Sequence, residues 1–160
     1  MPRFQDVLLA VGQLNYTWTN TESLLIHLIA GLARVDKETA IIIFLTLNTT
    51  RARLDLVERL AKMAGTSPVC RKAVLAVSEQ LTHQGKLRNK YSHCIYSFDE
   101  TGTRASTQLM RIFDSKDSVR YGKHEELDDD EMQRIGASIE AIRGINRQIW
   151  QIVEDNSFPH

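Results

Sequence analysis

The stretch FQDVLLAVGQLNYTWTNTESLLIHLIAGLA, residues 4–33, decides the fold class. Phe4, Val7, Val11, Leu14, Trp18, Thr21, Leu25, Leu28 and Leu32 follow each other in alternating steps of three and four. Such steps line one face of a helix and make an apolar seam about four heptads long. Thr21 is the one polar interruption. The pattern predicts a single long helix from Phe4 to about Ala33, and a long seam needs partner helices to cover it.

Three more helical segments follow. Asp36 is a plausible N-cap for the second. Its first half, Ala40 to Leu47, is apolar all round and is expected to be buried all round. Asn48-Thr49-Thr50 is a weak point, because short polar side chains compete for the backbone. Beyond it, Leu54, Val57, Leu60, Ala61 and Ala64 are amphipathic. Ser67-Pro68 starts the third helix, with Ser as N-cap and Pro in the first turn. Its stripe runs Val74, Val77, Leu81, Gln84, Arg88 and Tyr91, so it turns polar toward its end.

The period then changes. Cys94 to Phe98 and Thr103 to Phe113 are β-prone and flank the turn Asp99-Glu100-Thr101-Gly102, which predicts a hairpin. A short third strand around Ser118 to Tyr121 is also plausible. Asp128 opens the last helix, with Glu131 in the capping-box position. Its seam is Met132, Ile135, Ile139, Ile142, Ile149 and Val153, with Asn146 as a polar, register-setting member. The tail from Ser157 to His160 is expected to fray. The expected architecture is mainly all-α: a bundle of four long helices with a small β-hairpin insertion, about 94–113, between the third and fourth. Residues 1–160 form one expected domain.

Composition narrows the function classes. Lys+Arg and Asp+Glu both number 20, so a nucleic-acid contact must come from a local patch rather than the overall field. Cys70 and Cys94 do not form a CxxC pair and suit the reduced thiols of a cytoplasmic protein. The start of the chain lacks signal-peptide features, and the apolar runs are too short for a membrane span. No phosphate-loop, dinucleotide, zincin or serine-hydrolase motif occurs, so no cofactor is expected. Glu79 and His83 share a helix face but make at most half a metal site, and Asp128 to Glu131 suit a helix N-terminus. No metal is therefore expected. His27, set among Leu25, Ile26, Leu28 and Ile29, suits a core position better than a ligand's.

The informative stretch is His83-Gln84-Gly85-Lys86-Leu87-Arg88-Asn89-Lys90-Tyr91-Ser92-His93. It holds three cations and two histidines at the end of a helix. Arg88 falls on the seam-facing stripe, where a guanidinium needs a partner or an anion. Glu22, beside the gap at Thr21, is the expected carboxylate. The imidazole of His93 can act as base or acid. Arg88 presents a planar fork that matches phosphate oxygens. Asn89 could orient His93 or a phosphate oxygen. Lys86, Lys90 and Tyr91 could hold a strand by charge and stacking.

Arg88-Asn89-x-x-x-His93 resembles the R-x(4–6)-H motif of the HEPN superfamily, the higher eukaryotes and prokaryotes nucleotide-binding domains, including its polar residue after the Arg. The resemblance implies an all-α up-and-down bundle and, in many members, metal-independent endoribonuclease activity. Arg88, His93 and Asn89 would be the catalytic group. Other members bind RNA or nucleotides without cleaving them. Catalytic members are typically dimers, and toxin or phage-defence members are often paired with an antitoxin protein. A homodimer is thus expected, with RNA or a nucleotide as ligand and an antitoxin as a further partner.

Geometry qualifies this expectation. In a continuous helix, residues five apart are turned by roughly 140°. Arg88 and His93 converge on one phosphate only if the helix distorts near Tyr91 or two chains contribute. The alternatives are a non-catalytic RNA-, nucleotide- or protein-binding module and a purely structural helical dimer, with Arg88 in a salt bridge and His93 as a helix cap. The hairpin could shape a groove or a partner surface.

Overall fold

The computed structural model describes residues 4–160. They form six helices and five short strands: α1 Phe4–Glu22, α2 Leu25–Ala33, α3 Lys37–Thr46, α4 Thr50–Ala61, α5 Pro68–Ser92, β1 Cys94–Phe98, β2 Ala105–Leu109, β3 Ile112–Asp114, β4 Val119–Tyr121, β5 His124–Glu126 and α6 Asp129–Asp155. The protein is mainly helical, with its strands inserted between α5 and α6. No described helix is long and apolar enough to cross a membrane.

The chain divides into two compact units. The first comprises the described residues up to Tyr16 together with Gly85–Glu140. Its core holds Val7, Leu14, Tyr91, Cys94, Ala105, Leu127, Ile135 and Ile139. β2 is the centre of an antiparallel sheet of order β1-β2-β5, and β3 pairs with β4 in a separate antiparallel ribbon. The expected long run 103–113 is therefore two strands. Leu109 ends one, and a turn at Met110 and Arg111 redirects the chain into the next. The plausible strand around 118–121 is β4, while β5 had no period-two signal to announce it.

Gly122 fixes the ribbon's place. A Cβ there would lie 2.3 Å from the Leu109 carbonyl oxygen, so only glycine allows that backbone approach. Asp128 caps α6 as expected, accepting from Glu131 N at 2.9 Å. The reciprocal half of the capping box is replaced, because the Glu131 carboxylate turns to Tyr91 and Lys90.

The second unit comprises Thr17–Gln84 and Ala141–His160. Trp18, Leu25, Leu28, Ile29, Leu81, Ile142, Ile145 and Ile149 are its large, fully buried side chains. The expected helix 4–33 is broken at Ser23 and Leu24. Leu24 N bonds Thr21 O and Ile26 N bonds Ser23 O, three-residue steps that tighten the turn. Ser23 Oγ donates to the Asn20 carbonyl at 2.8 Å, the backbone competition typical of a Thr/Asn/Ser-rich run. The seam spacing survives this turn, so periodicity alone does not reveal the break.

The weak point at Asn48 is also a complete break. Thr49 caps α4, accepting from Ala52 N at 3.1 Å. Asp36 caps α3 by accepting from Thr39 N, and Ser67 caps α5 by accepting from Cys70 N. The segment Ala40 to Leu47 is not buried all round. Ala40 and Phe44 are buried, but Ile42 and Leu45 are 60% and 63% exposed. A short helix between two breaks turns one face inward and leaves the other bare.

The tail does not fray. Ser157 adopts a left-handed φ of 53°, and Phe158 N returns to Val153 O at 2.9 Å. The Phe158 ring then occupies the space where a Gly31 Cβ would stand, within 2.0 Å of it.

Candidate functional site

The end of α5 carries Lys86, Asn89 and Lys90, and His93 follows its last residue, giving steps of three, one and three. Those steps place all four on one helical face. α5 stays regular to its end, where His93 N bonds Asn89 O at 3.1 Å and Lys90 O at 3.3 Å. The His93 carbonyl accepts from Met110 N at 2.9 Å, which docks the β2–β3 turn on the helix end. Between helix and turn lies a cavity of about 680 Å³, lined by Lys86, Asn89, Lys90, His93, Leu109, Met110 and Arg111. Lys86, Asn89, His93 and Arg111 are exposed there.

Two acidic residues brace this wall. Lys90 Nζ donates to Glu125 Oε2 at 2.5 Å and to Glu131 Oε1 at 3.1 Å. Burial disfavours the Lys90 ammonium, but the bonds to Glu125 and Glu131 outweigh it and raise its pKa. Lys123 and Lys90 push the Glu125 carboxyl down to about 2. Burial disfavours the Glu131 carboxylate, yet the Tyr91 hydroxyl and Lys90 hold its pKa below the usual range. Lys90 is thus largely neutralised locally, and the positive field of the cavity comes chiefly from Lys86 and Arg111.

Tyr91 differs from its expected role. It is 2% exposed, and its hydroxyl donates to Glu131. Burial and the Glu131 carboxylate both raise its pKa. A buried ring offers no face to a base, so Tyr91 supports the wall instead of holding a strand. Its stripe position, one turn beyond Gln84 and Arg88, marks the inward face. Tyr96 adds a brace, donating from its hydroxyl to the Tyr91 carbonyl at 2.6 Å.

Arg88 lies on that inward stripe, half-buried, and is not one of the cavity-lining residues. Its Nη1 donates to Asn89 Oδ1 at 3.2 Å, so it reaches the cavity wall through Asn89. Within one chain the helix keeps Arg88 and His93 on different faces, and no distortion near Tyr91 turns them together.

Glu22 belongs to the second unit and is 7% exposed. It accepts from Trp18 Nε1 at 2.7 Å, Thr50 Oγ1 at 3.1 Å and Arg53 Nη1 at 2.6 Å. Arg53 also donates to the Phe44 carbonyl and stacks on the Phe44 ring at 3.8 Å. Arg53 is thus the cation that Glu22 binds within its unit; its helical pattern reads equally as a groove-lining or a solvated position.

Arg111 is the cavity residue that the sequence pattern missed. It sits in a strand-to-strand turn without periodicity, and the pairing of Cys94 with Leu109 together with the Met110–His93 bond brings it to α5. Among the described residues, no group of three or more His, Cys, Asp or Glu side chains could hold a metal ion. Cys70 and Cys94 are buried free thiols, and burial pushes both pKa values up. No family model, curated protein or solved structure matches this chain.

Proposed function

We propose that this chain binds RNA through the cavity at the end of α5 and cleaves it without a metal, as an endoribonuclease of the HEPN type. The supporting observation is the placing of Lys86, Asn89, Lys90 and His93 on one helical face, opposite Arg111, around one open cavity. Exposed cations and amides at a concave surface suit backbone phosphates, and they give a locally basic site in a chain with no net charge.

The reaction this site suits is transfer to the 2′-oxygen. His93 takes the 2′-hydroxyl proton, and the oxygen attacks the adjacent phosphorus. The bond to the 5′-oxygen breaks, and a second acid protonates that oxygen. The products carry 2′,3′-cyclic phosphate and 5′-hydroxyl ends. Arg111 and Lys86 offset the charge that builds on the phosphoryl oxygens. Arg88 acts here as a positioning residue, holding Asn89.

One imidazole cannot be both acid and base in a single step, so this reading includes a homodimer that supplies the second His93 and brings an Arg88 within reach. An up-and-down four-helix arrangement belongs to the same reading. In a cell such a chain would act in the cytoplasm as a toxin or phage-defence nuclease restrained by an antitoxin protein.

The test is RNA incubated with the protein in EDTA. Cyclic-phosphate ends, lost in His93→Ala and reduced in Arg88→Ala, are the expected result. A second reading, binding without cleavage, is favoured by the separation of Arg88 from the cavity. It predicts RNA retention with intact ends, and affinity that falls in Lys86→Ala. Absence of both would leave a structural helical protein.

A further inference from the structure

The ribbon β3–β4 has two different faces. Its register pairs Ile112 with Tyr121, Phe113 with Arg120 and Asp114 with Val119. Opposed residues share a face, and faces alternate along each strand. Ile112, Tyr121, Asp114 and Val119 therefore form one face, while Phe113 and Arg120 form the other. One ladder step further, Gly122 N donates to Arg111 O at 2.8 Å, which puts Arg111 on the face of Phe113. Phe113 is 49% exposed, and both arginines are exposed. Arg111, Phe113 and Arg120 therefore share one exposed face of the ribbon, and neither strand puts a carboxylate on that face.

Arg111 also lines the cavity described above. The cationic face of the ribbon is thus continuous with the proposed phosphate site, through one shared residue. We infer that this face is a stacking platform for single-stranded RNA, with one unpaired base on Phe113 and its flanking phosphates on Arg111 and Arg120. The inference rests on the RNA-binding reading and specifies its substrate as unpaired strand. Charge complementarity selects this occupant: two exposed arginines share a face with an exposed aromatic ring, the combination that holds bases and backbone together. A duplex buries the base faces that Phe113 needs. The opposite face carries Asp114 and no cation, so it does not suit a polyanion.

The experiment is binding of a labelled twelve-nucleotide 2′-O-methyl oligouridylate, which offers no 2′-hydroxyl for cleavage, and of a 2′-O-methyl duplex of equal length, to the full chain. Phe113→Leu keeps apolar bulk and loses the ring, and Arg120→Gln keeps length and loses the charge. Each is expected to weaken single-strand binding about tenfold, with little change for duplex. Arg120→Gln should also lower the salt slope by about one. Phe113→Trp should retain affinity, and its fluorescence should be quenched by the oligonucleotide.

Unchanged affinity in Phe113→Leu and Arg120→Gln, with wild type binding and both variants folded by circular dichroism, overturns the platform and leaves the cavity reading intact. A change in oligomeric mass in place of affinity also overturns it, and assigns the face to a second copy. If the wild-type chain binds no RNA, the RNA-binding reading itself fails.

Discussion

Asn146 Nδ2 donates to Thr21 Oγ1 at 3.1 Å, so the polar interruptions of two apolar seams meet each other. Thr21 is fully buried in its unit. A misaligned register of α6 against this segment would leave both groups facing hydrocarbon, at a cost of about 1–3 kcal/mol for each unsatisfied group. The pair therefore selects one register.

Thr21→Val or Asn146→Leu alone should destabilise the fold by about 1–2 kcal/mol, because each leaves one polar partner stranded. The double replacement should cost less than the sum. Urea denaturation of the four proteins gives the coupling directly. Strict additivity would mean that the contact has no energetic role.

His27 is 8% exposed, and its Nδ1 has no hydrogen-bond partner among the described residues. Burial and the nearby Lys37 and His160 lower its pKa from 6.5, against a raising hydrogen bond to the Pro159 backbone. The unfolded chain then binds a proton before the folded one does. Stability should be level above about pH 6.5 and decline as pH falls below it, before the carboxylates titrate. His27→Gln should remove that part of the slope in thermal melts between pH 7 and 5.

Glu125 and Glu131 titrate in the opposite sense to a raised base, since both folded values lie below the ordinary 4.5. Their contribution is complete above that pH and is lost as acid drives the carboxyls toward about 2. Lys90→Met leaves Glu131 short of a cation. We expect a loss of about 2 kcal/mol, below the roughly 3–5 of a sealed pair, because the Lys90 side chain is still 22% exposed. Chemical denaturation at pH 7 checks the size, and a shallower acid limb checks the cause.

Gly122→Ala should displace the β3–β4 ribbon, because the added methyl meets backbone at Leu109 and has no flexible neighbour to yield. The expected signature is a loss of ribbon amide signals in NMR spectra while α6 signals persist. Single-strand RNA affinity should fall with them.

Helical periodicity identified the helical segments, their caps at Asp36, Ser67 and Asp128, and the seam residues from Val7 to Leu32 and from Ile135 to Val153. It could not see the break at Ser23, because a tightened turn keeps the apolar spacing in phase. It also overburied Ile42 and Leu45, since an all-apolar run does not say which face has a neighbour. At the site, the 86–93 face was legible as a run of cations, but the inward turn of Tyr91 was visible only as phase along the stripe. Arg111 and Glu125 were illegible, because strand pairing and not local spacing delivers them to α5; Glu131 was legible as a capping-box residue, but not its bonds to Lys90 and Tyr91.

The bond between the Met110 amide and the His93 carbonyl has a mechanical meaning. His93 is anchored backward to its own helix and forward to the turn that carries Arg111, so its imidazole can swing only about its own side-chain torsions. Any molecule that tugs on the ribbon must strain this clasp before it can shift the helix end. Occupancy of the ribbon should therefore register at the His93 ring, as a change in its NMR chemical shifts, even when the added molecule never touches that ring.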